Sequence, residues 1–145
     1  MKKRDNIDLR NILPFGGRFL LVDRIVSYED GKKIVTEKLV RRNEWFFKGH
    51  FPGNPVMPGH LIAESMAQTC ALYFGKSAGE KAGGIFYLVS SKARFYKAVK
   101  PGNKLTLTVY PVKILSGAGI FKAEARVKNN IAAKGTFILA SRGKK

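Results

Sequence analysis

From Phe19 to Tyr28 the chain is rich in β-forming residues, and a similar run follows from Lys33 to Val40. Glu29-Asp30-Gly31-Lys32 lies between them, so the pair predicts a hairpin. The pattern then breaks. Residues Gly49 to Gly59 carry Pro52, Pro55 and Pro58, which exclude regular helix and central strand. A helix is predicted to start near Pro58 or Gly59, because proline suits the first helical turn, and to run to about Phe74, where Gly75 ends it. Alternation returns late in the chain, most clearly in Leu105 to Val109 and in Phe121 to Lys128, and predicts antiparallel strands with one wet face. Strand-like runs cover Ile85 to Val99, Lys104 to Leu115, Gly119 to Lys128 and Ile131 to Ser141. They are parted by the turn signals Lys100-Pro101-Gly102-Asn103, Ser116-Gly117-Ala118 and Asn129-Asn130. About six strands and one long helix make an α+β arrangement in which a sheet covers one helix.

Composition fits that reading. A chain of 145 residues with 45% hydrophobic content buries a real core without metals or disulfides, so a single domain over residues 1–145 is expected. The lone Cys70 has no internal partner and, among Ala67, Ala71 and Leu72, reads as a small buried hydrophobe in a reducing compartment. The basic start lacks the apolar run of a secretory signal, and no apolar stretch approaches a membrane span of about 20 residues. A soluble, cytoplasmic protein is expected.

Charge adds a partner. Lys and Arg number 27 against 10 Asp and Glu, a net charge of +17 that gathers acidic molecules. Nucleic acid finds no helix-turn-helix, zinc ligand set or aromatic RNA-binding motif here, and a membrane surface finds no basic amphipathic helix. An acidic protein partner stays open.

Residues 49 to 75 hold one formally charged side chain, Glu64, where the chain's 26% charged content would place about seven. The segment is therefore expected to be buried. Both histidines, His50 and His60, fall in it. An acid and the only imidazoles gathered where charge is otherwise excluded form an environment that raises a carboxyl's proton affinity and keeps a histidine neutral. The plain alternative is a polar stripe, because His60, Glu64 and Gln68 recur every four residues on the helix.

The run from Gly49 to Gly59, Gly-His-Phe-Pro-Gly-Asn-Pro-Val-Met-Pro-Gly, with Glu64 and Met66-Ala67-Gln68 after it, resembles the signature of the bacterial (3R)-hydroxyacyl-ACP dehydratases of fatty acid synthesis (FabZ type). Leu20-Leu21-Val22-Asp23-Arg24 upstream, and Lys92-Ala93-Arg94-Phe95 with Pro101-Gly102 downstream, match in the same order, so the likeness spans nearly the whole chain. The resemblance implies a hot-dog fold, in which a curved antiparallel sheet wraps the long helix. It implies a homodimer with sheets joined edge to edge and active sites at the interface, and in some members a hexamer built as a trimer of dimers. It also implies roles: His50 as the base at C2 of the substrate, Glu64 from the partner subunit as the acid at the 3-hydroxyl, and the Gly59 N–H as donor to the thioester carbonyl. No metal or organic cofactor is implied. The substrate arrives on the phosphopantetheine arm of acyl carrier protein, a strongly acidic partner, and Lys92, Arg94, Tyr96, Lys97 and Lys100 are its candidate docking residues, with a merely solvated basic face as the alternative.

Two positions depart from the family pattern. Leu13-Pro14-Phe15-Gly16-Gly17-Arg18-Phe19 lacks a histidine and a proline that relatives carry, and His60 replaces an aliphatic residue. His60 is read as a second acid/base group or as a helix-start residue without a catalytic part; Gln68 is a possible accessory. Glu at position 64, where the dehydratase/isomerase relatives carry Asp, makes isomerase activity less expected. Competing functions are a dehydratase of a secondary lipid or polyene pathway, a hot-dog acyl thioesterase, and a non-catalytic basic module that binds acyl carrier protein or nucleic acid.

Overall fold

The computed structural model describes residues 20–77 and 86–141. The Leu13 to Phe19 departure and Ile85 lie outside the described residues. The chain runs β1 (Arg24–Glu29), β2 (Lys33–Leu39), a 3-10 turn (Trp45–Lys48), α1 (Gly59–Ser77), β3 (Phe86–Phe95), β4 (Lys104–Leu115), β5 (Ala118–Val127) and β6 (Asn130–Ser141). The strands form one antiparallel sheet in the order β1-β2-β4-β5-β6-β3, and α1 touches β2 through β6. Among the described residues this is the one long helix and six strands that the pattern predicts, in the hot-dog arrangement that the resemblance implies.

The hairpin predicted at Glu29–Lys32 closes as expected. Gly31 takes φ +82°, and the Lys32 N–H donates to the Glu29 carbonyl at 2.9 Å. Alternation decides which side of each strand faces α1. In β2, Ile34, Thr36 and Lys38 are buried, and in β4 Leu105, Leu107 and Val109 are. On α1 every residue from Ser65 to Gly75 is buried. Met66, Leu72 and Phe74 each contribute roughly 1.5–3 kcal/mol by leaving water. Burial also pushes the Cys70 thiol well up, so it stays protonated and packs as a hydrophobe.

Three boundaries differ from the sequence reading by more than one residue. Gly75 does not end α1: the helix continues to Ser77, because a buried glycine loses less to solvent competition than an exposed one. β1 starts at Arg24 rather than Phe19, and Leu20 to Asp23 are not strand. β3 stops at Phe95, four residues before Val99, where the Tyr96 and Lys97 N–H groups both turn to the Ala132 carbonyl (2.7 and 3.3 Å).

Candidate active site

His50 lies on the loop between the 3-10 turn and α1. Phe46 and Phe47 sink into the core and hold the near end of that loop. A buried ion pair holds it too: Lys38 Nζ on β2 donates to Glu44 Oε2 at 2.9 Å, with side chains 3% and 13% exposed. Sequence reasoning missed this pair. Its signal was present, since Lys38 is in phase with the inward residues Ile34 and Thr36 and would need a partner. The far end is pinned by backbone bonds, Val56 N–H to His50 carbonyl and Met57 N–H to Val99 carbonyl, both 2.8 Å.

The imidazole is oriented by one contact. His50 Nδ1 lies 2.9 Å from the Val56 carbonyl oxygen. A carbonyl only accepts, so Nδ1 carries the hydrogen and donates it, and the lone pair of a neutral ring falls on Nε2. Phe51 stacks on the ring at 4.0 Å between centroids. The expectation of burial across residues 49 to 75 fails at this loop: Phe51 to Asn54 are exposed, because the two-way bond between Phe51 and Asn54 and the positive φ of Gly53 make a tight turn that points outward.

His50 and Gly59 line one cavity of about 300 Å³, with Val56, Met57, Ile62, Phe95 and Val99 as apolar walls and Tyr96 and Lys97 at its rim. Gly59 is the first residue of α1, where N–H groups lack intrahelical acceptors and the helix dipole presents its positive end. A side chain at Gly59 would come within 3.3 Å of the Phe95 ring, so glycine keeps this wall close.

Glu64 stands elsewhere. It is half-buried on α1 and does not line the His50 cavity. Its Oε2 accepts from Gln68 Nε2 at 3.0 Å, and Gln68 Oε1 accepts from the Leu21 backbone N–H at 2.8 Å. His60 is exposed at the second helical position. Among the described residues no cluster of three or more His, Cys, Asp or Glu could hold a metal ion, and no described helix is long and apolar enough to cross a membrane.

The predicted basic stretch divides. Lys92, Arg94 and Tyr96 line a cavity of about 490 Å³ on the sheet face away from α1, together with Lys122, Lys134 and Tyr110. Strand register puts them in rows: Lys92, Thr136, Lys122 and Tyr110 across β3, β6, β5 and β4, and Arg94, Lys134 and Glu124 beside them. Glu124, the acid of this face, is bonded by Arg126 Nε at 2.8 Å. Lys97 turns instead to the rim of the His50 cavity, and Tyr96 borders both. Lys100 lines neither; its N–H closes the β3–β4 turn onto Asn103 Oδ1 at 2.9 Å. Lys122, Lys134 and Tyr110 were missed because only cross-strand register brings them beside β3.

Comparison with known proteins identifies the family. Residues 13–135 match the family model described as a FabA-like domain. The 3-hydroxyacyl-[acyl-carrier-protein] dehydratase FabZ of Clostridium kluyveri is 44% identical over 131 residues, covering 90% of this chain and 91% of its own. The protein of that name from Thermoanaerobacter pseudethanolicus is 42% identical over 141 residues, covering 96% and 99%. Among solved structures, the dehydratase heterocomplex ApeI:P from Xenorhabdus doucetiae superposes with a TM-score of 0.82 over 97% of this chain and 94% of that one. An uncharacterized protein from Pyrococcus horikoshii gives 0.70 over 95% of each. Both are 16% identical and so speak for the hot-dog fold alone. With a family match over most of its length and relatives above 40% identity, the chain belongs to the FabA-like family and, within it, to the FabZ-type dehydratases.

Proposed function

We propose that this protein is a hydro-lyase of fatty acid biosynthesis that removes water from (3R)-3-hydroxyacyl thioesters on acyl carrier protein to give trans-2-enoyl thioesters. The observation that carries the reading is the cavity shared by the His50 ring, its Nδ1 hydrogen committed to Val56, and the Gly59 start of α1. Nε2 of His50 takes the C2 proton, and the electrons of that C–H bond become the C2–C3 double bond. The C3–O bond breaks, and the hydroxyl leaves as water with a proton from Glu64. His50 then passes its proton back to Glu64, so both residues end as they began. The Gly59 N–H donates to the thioester oxygen as negative charge grows on it.

Glu64 reaches this cavity from a second copy of the chain. Its place outside the His50 cavity of its own chain supports that arrangement, which makes the active unit a homodimer; a hexamer would be three such dimers. His60, exposed and outside the cavity lining, takes no catalytic part. The protein's own acid, base and backbone donor fill every role, so the reaction uses no resident cofactor. The phosphopantetheine arm enters past Tyr96 and Lys97, and the acidic carrier rests on Lys92, Arg94, Lys122 and Lys134, opposite charges that steer its approach. A soluble carrier fits a cytoplasmic location.

The test uses purified protein with the 3-hydroxybutyryl or crotonyl thioester of acyl carrier protein, following enoyl absorbance for wild type, His50→Ala and Glu64→Gln. Loss of turnover in both folded variants is expected. Wild-type rates in either one, or hydrolysis of the thioester in place of dehydration, overturn the reading.

A further inference from the structure

A cavity of about 630 Å³ opens beside β2 and the 3-10 turn and shares no lining residue with the His50 cavity. Buried Val22 and half-exposed Trp45 give it an apolar wall. Phe46, itself buried, braces the Trp45 ring edge-on at 5.4 Å between centroids, so the indole is held rather than free to swing. The polar lining has donors to spare. Both of its acids are engaged within the fold: Asp23 Oδ2 accepts from the Leu39 N–H at 2.7 Å and from Arg41 Nη2 at 3.3 Å, and Glu44 Oε2 accepts from Lys38 Nζ at 2.9 Å and from the Arg41 N–H at 3.2 Å. Lys38 is 2% exposed, and its three hydrogens find only Glu44 and, at 3.5 Å, the Leu39 carbonyl, which leaves one buried donor without an acceptor among the described residues. The Lys48 and Asn43 side chains make no hydrogen bond or ion pair among the described residues. Three cations, Lys38, Arg41 and Lys48, therefore face two acids, and the lining keeps one net positive charge.

We propose that this cavity binds a nucleotide, with the flat base against Trp45 and Val22 and the phosphate on Lys48, Arg41 and the spare hydrogen of Lys38. A hollow with one apolar and one cationic end suits a ligand divided in the same way. Inorganic phosphate would leave the indole wall in water, and a plain ring would leave the cations unanswered. Arg41 commits only Nη1, to the Leu39 carbonyl, and Nη2, to Asp23, so its guanidinium keeps N–H groups for phosphate oxygens. Asn43 offers an amide donor and acceptor to the edge of the base. The volume falls within the range of about 300–1,000 Å³ usual for small-molecule sites. The Lys38–Glu44 pair that holds the His50 loop is part of this wall, so an occupant adds contacts to the anchor of that loop. Binding here is independent of the dehydratase reading.

Trp45 is the single tryptophan of the chain, so intrinsic fluorescence reports on this cavity alone. Titrating the purified protein with AMP should change the emission saturably, with Kd below about 1 mM, and should raise the thermal midpoint as AMP is added. Adenosine and inorganic phosphate, which each fill one end, should bind at least about tenfold more weakly. Lys48→Glu, at an exposed position, should weaken AMP at least about tenfold, whereas Lys113→Glu, an equally exposed charge reversal on β4, should leave its affinity within about twofold. No saturable change with AMP up to about 5 mM, or equal affinities for wild type and Lys48→Glu, or an equal loss in Lys113→Glu, overturns the site. Phosphate alone binding as tightly as AMP overturns the nucleotide. Such a ligand comes free or as the adenosine end of coenzyme A, and the bisphosphorylated adenosine of that end separates the two sources: binding more than about tenfold tighter than AMP supports coenzyme A, and binding within that margin supports the free nucleotide.

Discussion

His50 sits on a loop whose neighbours Phe51 to Asn54 are exposed, and its ring is steered by a carbonyl six residues along. Glu64 sits on a helix buried from Ser65 to Gly75, and it is steered by a glutamine that is itself held by a backbone group 47 residues distant in sequence. The bond that orients the first side chain is local, and the chain of bonds that orients the second is tertiary. The difference teaches where each half is vulnerable: chemistry on the loop can be removed without disturbing the core, whereas the helix half shares its supports with the fold.

The sharpest contrast comes from deleting the proposed base and acid. His50→Ala should lower kcat about 10²- to 10⁴-fold, the usual span for a general base, with an unchanged circular dichroism spectrum. Glu64→Gln should cost a similar factor; a loss under tenfold in either would dissolve the division of roles. Next in size is a stability effect with no matching chemical one. Glu44→Ala strands Lys38, a buried cation, and should cost about 3–5 kcal/mol, a fall in thermal midpoint of about 10 °C or more. An unchanged midpoint would mean that the ion pair does not hold the loop. Mixing the two inactive variants then tests whether the halves come from different chains. If subunits exchange freely, activity should rise from near zero to about a quarter of wild type, since random pairing leaves that share of sites intact. No recovery after demonstrated exchange would place both groups in one chain. The smallest effect belongs to the outer face. Charge reversal at Lys122 or Lys134 should raise KM for the carrier thioester about two- to fivefold each, weaken with salt, and leave a coenzyme A thioester unaffected.

The unequal legibility of the two halves has the same origin. The helix was readable from Pro58-Gly59 and from the charge vacuum, and the loop from three prolines, so the elements holding His50, Gly59 and Glu64 could be drawn in advance. The helix end could not, because Gly75 is a stop signal only where solvent competes for the backbone. The bond from Leu21 to Gln68 and that from Val56 to His50 involve main-chain groups, which every residue carries and no pattern marks. The outer cleft escaped for a further reason: alternation shows that Lys122 and Lys134 face outward, but not that β5 and β6 lie beside β3. Only the last strand of the order reveals that.

The close seam between β3 and β6 has one more implication. A methyl group placed on Gly135 would stand 2.5 Å from the Lys92 carbonyl oxygen and 3.0 Å from the Ala93 backbone. Gly135 faces Ala93 and Ala123 across its two neighbours, and all three also line the cleft that carries Lys92, Arg94, Lys122 and Lys134. The missing side chain therefore leaves no bulk between β6 and β3 at a point that also lines the charged hollow. Enlarging this residue would pry the strands apart and spread the lysines in a single movement, tying the tightness of the interior to the spacing of the charges outside.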